Sequence, residues 1–201
     1  MSTEELMAKA PKRARGLQRV AELLDAGAVL FAEKGYDATT MTEIAQRAGA
    51  SIGSLYQFFP SKEVLAEALF GRYVERVASL LEDFVKRAPG LSPVRLADLL
   101  VDLILDVRSD RDATVALSSA VAGIVERRKP LRSATRRHIA AILRAANPRL
   151  REKGAAEAAA MIAHVLKIVP ALAKEEEDGG QALVAQARKM LAAYIERVIE
   201  R

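Results

Sequence analysis

The stretch TMTEIAQRAGASIGSLYQFF, residues 40–59, decides the fold. Thr40 is a good helix N-cap, and Glu43 three residues later completes a capping box. Gly49 suits a tight turn that needs a positive φ, and Ser51 is a good N-cap for a second short helix. The pattern therefore predicts two short helices that meet at a glycine turn, which is a helix-turn-helix.

Outside this stretch the chain also predicts helices. Apolar residues recur at helical spacing, and no window alternates strictly between apolar and polar residues. Lys129-Pro130 and Asn147-Pro148 are expected to break the chain between helices, while Pro170 lies late in one. We predict an all-α protein of about nine helices, over roughly residues 15–34, 40–49, 51–59, 61–88, 93–109, 112–127, 131–146, 154–174 and 181–200.

The composition argues against an enzyme. The 201 residues include no cysteine and two histidines, which excludes thiol catalysis and thiolate zinc sites. No GxxxxGK[ST], GxGxxG or HExxH motif is present. We expect no catalytic residue, no cofactor and no metal. Asp98, Asp102 and Asp106 lie one helical turn apart and form a stripe on one face of a helix. The stripe either binds a metal ion or is a polar face that pairs with Arg132 and Arg136, and we favour the second interpretation.

Positive charge is concentrated in two segments of this chain, whose net charge is +5. The run Lys9, Lys12, Arg13, Arg15 and Arg19 contains no acid, and it is either a solvated terminus or an arm along DNA phosphates. Residues 126–153 carry a net charge of +8. Three interpretations of that stretch are open: it forms a solvated face, it pairs with the aspartate stripe, or it binds an anionic effector.

A membrane location is not expected. The longest uncharged run, residues 113–125, is shorter than the roughly 18–20 residues that a membrane span needs. The N-terminus lacks the apolar region of a secretory signal. We therefore expect a cytoplasmic protein.

Residues 15–70 resemble the DNA-binding domain of the tetracycline-repressor (TetR) family. One departure is Phe58, where the family often has Tyr or His. The resemblance implies an N-terminal three-helix DNA-binding domain and a C-terminal helical domain that binds an effector and dimerises. The predicted segments are a basic arm (1–14), a helix-turn-helix domain (15–63) and an effector-binding and dimerisation domain (64–201). The matching residues are Phe31, Gly35, Tyr36, Thr39, Thr40, Ile44, Ala45, Ala48, Gly49, Ser51 to Phe59, Lys62, Glu63 and Leu65.

The resemblance implies that the third helix reads DNA in the major groove, with Tyr56 and Lys62 on phosphates. Gln57 can form two hydrogen bonds with the edge of an adenine, and Ile52 can contact a thymine methyl group. That helix has no Arg, Lys or Asn, so we expect modest direct readout and a contribution from DNA shape. The predicted DNA-binding residues are Thr40, Thr42, Ser51, Ile52, Gly53, Ser54, Tyr56, Gln57 and Lys62.

The C-terminal domain is expected to hold an aliphatic effector pocket and to dimerise through its last two helices. Small residues such as Ala158, Ala159 and Ala187 permit close packing in a bundle built by two subunits, although the same faces could complete the protomer core. The candidate pocket residues are Leu103, Val107, Leu117, Val121, Ile124, His138, Ile139, Leu143 and Leu166.

These observations predict a homodimeric transcriptional regulator, most simply a repressor, that binds a palindromic operator and is released by a small molecule. The alternative is a helical ligand-binding or interaction protein that lacks operator-specific DNA binding. The intact set of Gly53, Tyr56 and Lys62 favours the regulator.

Overall fold

All regular structure in residues 14–117, 124–175 and 179–200, which the computed structural model describes, is α-helical. The all-α prediction is confirmed over these ranges. The helices are α1 (Ala14–Ala38), α2 (Met41–Arg47), α3 (Ile52–Phe58), α4 (Lys62–Arg87), α5 (Pro93–Asp106), α6 (Arg108–Leu117), α7 (Ile124–Ala146), α8 (Glu152–Leu172) and α9 (Gly180–Ile199).

Side-chain caps begin three of the helices. Thr40 caps α2 in a complete capping box and Ser51 caps α3 through its hydroxyl oxygen, both as predicted, and Ser92 caps α5 in the same way. Gly35 has φ 79° and breaks the helical conformation near the end of α1, while Gly49 has φ 59° between α2 and α3. Both glycines occupy backbone regions that other residues avoid, so the turns depend on them.

The helix boundaries in the middle of the chain differ from the prediction. Pro130 lies inside α7 and does not end a helix. A proline removes one backbone hydrogen bond, and here the burial of Ile139, Ile142 and Leu143 later in the same helix favours continuity. The start of the predicted helix over 112–127 is also wrong, because α6 begins at Arg108. Residues 118–123 of this prediction lie outside the described residues, and residues 124–127 belong to α7.

The chain divides into two compact units. The first unit comprises the described parts of residues 1–75 and 109–128, and the second comprises those of 76–108 and 129–201. Helix α6 is thus grouped with the N-terminal helices. The functional boundaries at 14/15 and 63/64 stay a prediction.

One apolar core holds the first unit together. Phe31 from α1, Ile44 from α2 and Leu55 from α3 are fully buried in it. α1 and α4 approach closely at Gly27, where a Cβ atom would lie 2.8 Å from Leu65 Cδ2. The other large members include Leu23, Phe59, Leu69 and Phe70, with Ala113 and Leu117 from α6.

A half-buried arginine joins three helices of the first unit. Arg72 of α4 places Nη1 2.7 Å from Asp25 Oδ1 of α1 and Nη2 2.6 Å from Asp110 Oδ1 of α6. Asp110 is only 4% exposed. Since a buried carboxylate is costly unless it is paired, this contact ties α6 to α4.

The second unit packs α5 against α8 and α9. Its buried side chains include Leu96, Leu100, Ala158, Ala159, Ile162, Leu166, Val169, Ala187, Leu191 and Ile195. The small-residue faces of α8 and α9 are therefore buried within the protomer. This outcome corrects the prediction that Ala158, Ala159 and Ala187 lie between two subunits.

The aspartate stripe on α5 does not pair with α7 as predicted. Arg188 of α9 places Nη2 2.6 Å from Asp102 Oδ1 and donates through Nη1 to the backbone oxygen of Asp98 at 2.9 Å. Asp106 pairs with Arg76 at 2.8 Å. Arg132 and Arg136 are exposed on α7. The aspartate stripe thus pairs with Arg188 of α9 and Arg76 of α4.

Among the described helices, α8 is the one whose length and apolar composition would allow it to cross a membrane. Core helices of globular proteins pass the same test, so this is weak support for a membrane span. Ala159, Ile162 and Val169 of α8 are fully buried within the protein.

We expect Arg72→Met to lower the free energy of unfolding by about 2–4 kcal/mol, because it removes the ion pair between Arg72 and the buried carboxylate of Asp110. Urea unfolding at pH 7 measures this change. Arg76→Met, one helical turn further along α4, removes the exposed pair with Asp106 and should cost less than about 1 kcal/mol. Equal losses for the two variants would contradict a structural role for the buried pair.

Candidate nucleic-acid interface

The start of α2 is held by a network of hydrogen bonds. The Thr40 hydroxyl oxygen accepts from the Glu43 backbone N–H at 3.2 Å, and Glu43 Oε2 accepts from the Thr40 backbone N–H at 2.9 Å. Lys34 Nζ lies 2.6 Å from Glu43 Oε1. The hydrogen bond from Lys34, followed by those from Thr40, lowers the pKa of the Glu43 carboxyl to about 2. Glu43 is therefore ionised at neutral pH.

The turn between α2 and α3 is fixed from α1. Arg19 donates through Nη1 to the backbone oxygens of Ala48 at 3.3 Å and Gly49 at 3.4 Å. Arg19 also pairs with Glu22 at 2.9 Å. The sequence predicted that Arg19 belongs to a basic run that is either a solvated terminus or an arm along DNA phosphates. The contact with the turn was not predicted, because no local pattern links residue 19 to it.

The structure describes part of the rest of the basic run. Arg15 lies exposed on α1, whereas Lys9, Lys12 and Arg13 lie outside the described residues. A DNA-contacting arm over residues 1–14 stays a prediction.

Helix α3 has one buried and one exposed face. Leu55 is fully buried and Phe59, at the C-cap, is 1% exposed. On the opposite side Ile52 is 41% exposed and Tyr56 is 49% exposed, and Ser51, Gly53 and Gln57 are exposed as well. Ser54 and Phe58 are half-buried. The predicted reading residues thus lie together on the side of α3 that faces solvent.

Thr40 and Thr42 are exposed at the start of α2. The Thr40 hydroxyl also donates to Glu43 Oε2 at 3.0 Å, so its hydrogen and an oxygen lone pair are both used within the cap. Thr42 presents its side chain to solvent beside this cap.

Lys62, at the first residue of α4, is bound to the connection between α1 and α2. Its Nζ donates to the backbone oxygens of Tyr36 at 2.8 Å, Thr39 at 2.9 Å and Asp37 at 3.4 Å. The same nitrogen lies 4.3 Å from the centroid of the Tyr36 ring. The role of Lys62 as a phosphate contact is untested by this geometry, although its ammonium group already has partners in the protein.

Tyr36 and Glu63 connect the same two regions. The Tyr36 hydroxyl donates to Glu63 Oε1 at 2.9 Å. Burial, followed by this hydrogen bond, raises the pKa of the Tyr36 phenol well above its usual range. Tyr36 therefore stays neutral at physiological pH and acts as a hydrogen-bond donor.

The candidate effector residues do not lie in one described pocket. Val107, Ile139, Leu143 and Leu166 are buried in the second unit, and Leu103 is half-buried there. His138 is half-buried, with Nδ1 2.9 Å from the Ala134 oxygen. Leu117 belongs to the core of the first unit. Val121 and the side chain of Ile124 lie outside the described residues.

A groove of about 460 Å³ lies elsewhere in the second unit. It contains none of the nine candidate pocket residues. Its lining residues are Leu105, Arg108, Ala173, Gly180, Gln181, Val184, Ala185 and Arg188. Within the described part of the chain, no group of three or more His, Cys, Asp or Glu residues could hold a metal ion.

Residues 23–69 match the family model described as bacterial regulatory proteins, tetR family. This segment is similar to the TetR family. The model describes regulatory proteins and covers 47 of the 201 residues of this chain. The matched TetR segment runs from the core of α1 to Leu69 in α4 and so contains the whole helix-turn-helix.

The chain is also similar to the HTH-type transcriptional repressor KstR2 of Rhodococcus jostii strain RHA1. The two are 49% identical over 72 residues, which cover 32% of this chain and 35% of that repressor. The match to the curated TetR relative thus spans about a third of its length.

Solved structures extend the likeness over most of the chain. A transcriptional regulator from Aquifex aeolicus VF5 has a TM-score of 0.69 at 21% identity and covers 87% of this chain and 98% of its own. The SmeT–triclosan complex has a TM-score of 0.64 at 21% identity, with coverage of 88% and 90%. At these identities the likeness establishes the TetR-like fold, an N-terminal helix-turn-helix followed by a helical domain.

We expect Glu43→Ala to lower the Tm at pH 7, because it removes the carboxylate half of the α2 capping box and the pair with Lys34. The folded-state pKa of Glu43 lies below its unfolded value. Its contribution to stability is therefore present above about pH 4.5 and is lost as the pH falls towards about 2. Thermal unfolding between pH 2 and pH 7 should show a Tm gap from the wild type that closes in acid.

Glu33→Ala is the matched control, since Glu33 is an exposed glutamate whose nearest basic atom, on Arg47, lies 3.8 Å away. This variant should keep the wild-type Tm throughout. A gap for Glu43→Ala that stayed constant from pH 7 to pH 2 would contradict the role assigned to the carboxylate.

Proposed function

We propose that the protein is a homodimeric, ligand-responsive transcriptional repressor that binds a palindromic DNA operator in the cytoplasm. The observation that carries this proposal is the division of α3 into a buried face, Leu55 and Phe59, and an exposed face that includes Ile52 and Tyr56. A short helix fixed in this way by its apolar side presents its other side to the major groove. The TetR-family match of residues 23–69 supports the same function.

The proposed DNA contacts divide into positioning and base-reading groups. Tyr56 supplies a hydroxyl to a phosphate, and Thr40 and Thr42 lie at the start of α2 where the backbone passes. Gln57 reads an adenine edge and Ile52 contacts a thymine methyl group. Ser51, Gly53 and Ser54 permit close approach of the α3 backbone.

This set of side chains implies limited direct readout. None of the seven residues of α3 is Arg, Lys or Asn, so the strongest guanine-reading side chain is missing. Specificity then depends in part on the shape and deformability of the operator.

The proposed dimer interface is the outward side of α8 and α9. Met161 and Ile168 on α8 are 54% and 51% exposed, and Met190 and Tyr194 on α9 are 52% and 36% exposed. Four large apolar residues on the last two helices suit an interface between two copies. A dimer would also place two recognition helices on half-sites about 34–36 Å apart.

A small-molecule effector completes the proposed mechanism. A structural neighbour, SmeT, was solved with triclosan, which supports ligand binding in proteins of this fold. The effector would bind the DNA-free state more tightly than the DNA-bound state and would release the operator by shifting that equilibrium. The candidate pocket residues, the groove on α9 and the basic stretch over 126–153 remain alternatives for its site.

Selection of duplexes from a random pool by the purified protein tests operator binding. We expect a palindromic sequence, bound much more tightly than random DNA. Tyr56→Phe should weaken binding to all sequences by about 5–20-fold, through one lost hydrogen bond per subunit. Gln57→Ala should weaken it by about 5–100-fold and relax the preference at one base position per half-site.

Gln181→Ala, an exposed glutamine on α9, is the control and should leave both properties unchanged. Selection of no preferred sequence by protein that has been unfolded and refolded to remove bound ligand would contradict the proposal. That result would favour the helical interaction protein instead.

Met190→Glu tests the proposed dimer interface. Because Met190 is exposed in the protomer, the charge should leave folding intact while it weakens the dimer by more than tenfold. Sedimentation velocity over a concentration series measures the change. Ala185→Glu adds the same charge at an exposed position on another side of α9 and should leave the dimer intact. Equal dimer strength in both variants would exclude this surface.

A further inference from the structure

The second unit carries an exposed basic surface at the end of α7 and the start of α8. Residues 129–153 contain eight lysine and arginine residues and a single acidic residue, Glu152, which gives this segment a net charge of +7. All eight basic residues are exposed, and together we call them the α7–α8 basic surface. They are Lys129, Arg132, Arg136, Arg137, Arg144, Arg149, Arg151 and Lys153.

The charge of this surface is not balanced within the described part of the chain. None of the eight side chains forms an ion pair with another described residue. Arg72, Arg76 and Arg188, by contrast, each bind an aspartate. The aspartates of α5, which the sequence predicted as partners of this stretch, are among those already paired. Like charges held close together repel each other, so an anion from outside the protein would be attracted to this surface.

Part of the basic surface is one face of helix α7. At 3.6 residues per turn, Arg136, Arg137 and Arg144 project within an arc of about 100°. Ile142, on the opposite side of the helix, is fully buried. The distance along the helix from Arg132 to Arg144 is about 18 Å. A DNA duplex carries one negative charge for about every 1.7 Å of its axis, so several phosphates fall within this length.

The composition of the surface distinguishes between possible anionic partners. No large apolar residue is exposed between residues 129 and 153. Protein interfaces depend on a few buried anchor residues, often aromatic, and peripheral membrane proteins insert apolar side chains into the lipid. The segment also contains no Phe, Tyr or Trp, on which single-stranded bases stack. Its arginines suit phosphate oxygens, which they bind through two parallel hydrogen bonds.

The shape of the surface argues against a small ligand. Small molecules bind in concave sites that bury most of their surface. The arginines of α7 instead extend from an exposed helix face, and the groove in the second unit contains none of the eight basic residues. An extended polyanion is therefore a better match than a small anionic effector.

We propose that the α7–α8 basic surface binds the phosphate backbone of double-stranded DNA without regard to base sequence. This contact is made by residues other than the base-reading side chains of α3, and it gives the chain a second DNA-binding surface. Its free energy comes from the release of counterions from the duplex, so it weakens steeply as the salt concentration rises. The proposal does not depend on operator recognition, because a duplex of any sequence is a sufficient ligand.

The triple variant Arg136→Gln, Arg137→Gln and Arg144→Gln tests the surface in the full-length protein. The probe is a duplex of fixed, non-palindromic sequence, and fluorescence anisotropy gives its affinity over a series of salt concentrations. We expect binding at low salt to weaken by at least about tenfold. The slope of log affinity against log salt should fall by about 0.9 for each phosphate contact removed.

The triple variant Lys86→Gln, Arg87→Gln and Arg95→Gln is the matched control. These three residues are also exposed in the second unit, and their replacement changes the net charge by the same amount. The control should keep the slope of the wild type. An equal loss of slope in the two triple variants would reduce the effect to net charge and would overturn the proposal. An unchanged slope in the α7 variant would also overturn it.

Arginine labelling of the wild-type protein tests the same contact without any substitution. Reaction with hydroxyphenylglyoxal followed by mass spectrometry gives the reactivity of each arginine, with and without the non-palindromic duplex. We expect the duplex to protect Arg136, Arg137 and Arg144, whereas Arg95 should react equally in both states. Protection confined to arginines of the first unit would overturn the proposal, whether or not the variants fold.

Two further probes present phosphate groups from other sources. One is a duplex RNA of the same sequence, and the other is a vesicle of phosphatidylglycerol and phosphatidylcholine. We expect no vesicle binding through this surface, since it has no apolar side chain to enter the lipid. Vesicle binding that the α7 variant abolishes, or tighter binding of the RNA duplex than of DNA, would assign the surface to another partner and overturn the proposal.

The failure of the proposed function is a separate outcome. If the wild-type protein selects no palindromic sequence, operator recognition is wrong. The salt slope and the arginine protection measured with the non-palindromic duplex still decide whether the basic surface binds DNA.

Discussion

Burial of Leu55 and Phe59 in the core of the first unit determines which side of α3 meets solvent. Phe31 and Leu23 of α1 and the first turns of α4 complete that core, so the orientation of α3 is set by helices on two sides. The turn before α3 is then held by Gly49, whose backbone conformation suits few other residues, and by Arg19 on its carbonyls. Helix α3 depends on this support, because a helix of only seven residues is not stable by itself.

Basic side chains in this protein bind backbone oxygens at three separate places. Arg19 binds the α2–α3 turn, Lys62 binds the end of α1, and Arg188 binds Asp98 on α5. Each of these contacts joins segments that are far apart in the sequence. Part of the positive charge therefore takes part in contacts within the protein. A count of basic residues overstates the number of cationic side chains that are available to a DNA partner.

Local patterns predicted the helix-turn-helix well because its determinants are close in sequence. The capping box at Thr40 and the glycine turn each span only a few residues. The faces of α3 followed from helical spacing, and exposure agrees with them. Pairing over long sequence distances escaped prediction: Arg72 with Asp110, Arg188 with the α5 stripe, and Lys62 with residues 36–39. The effector site was equally hard to predict, since an aliphatic pocket has no motif and its predicted lining includes residues outside the described part of the chain.

The pairing of Asp110 with Arg72 has a further consequence for the boundaries of the N-terminal unit. Because α6 contributes Ala113 and Leu117 to the same core, that unit is assembled from two segments of the chain, separated by residues 76–108. A fragment ended at the Pro89-Gly90 linker would expose apolar surface where α6 belongs and would leave Arg72 without its buried partner. An exchange of the N-terminal unit between two proteins of this fold would therefore have to transfer α6 together with the first four helices, or supply another helix in its place.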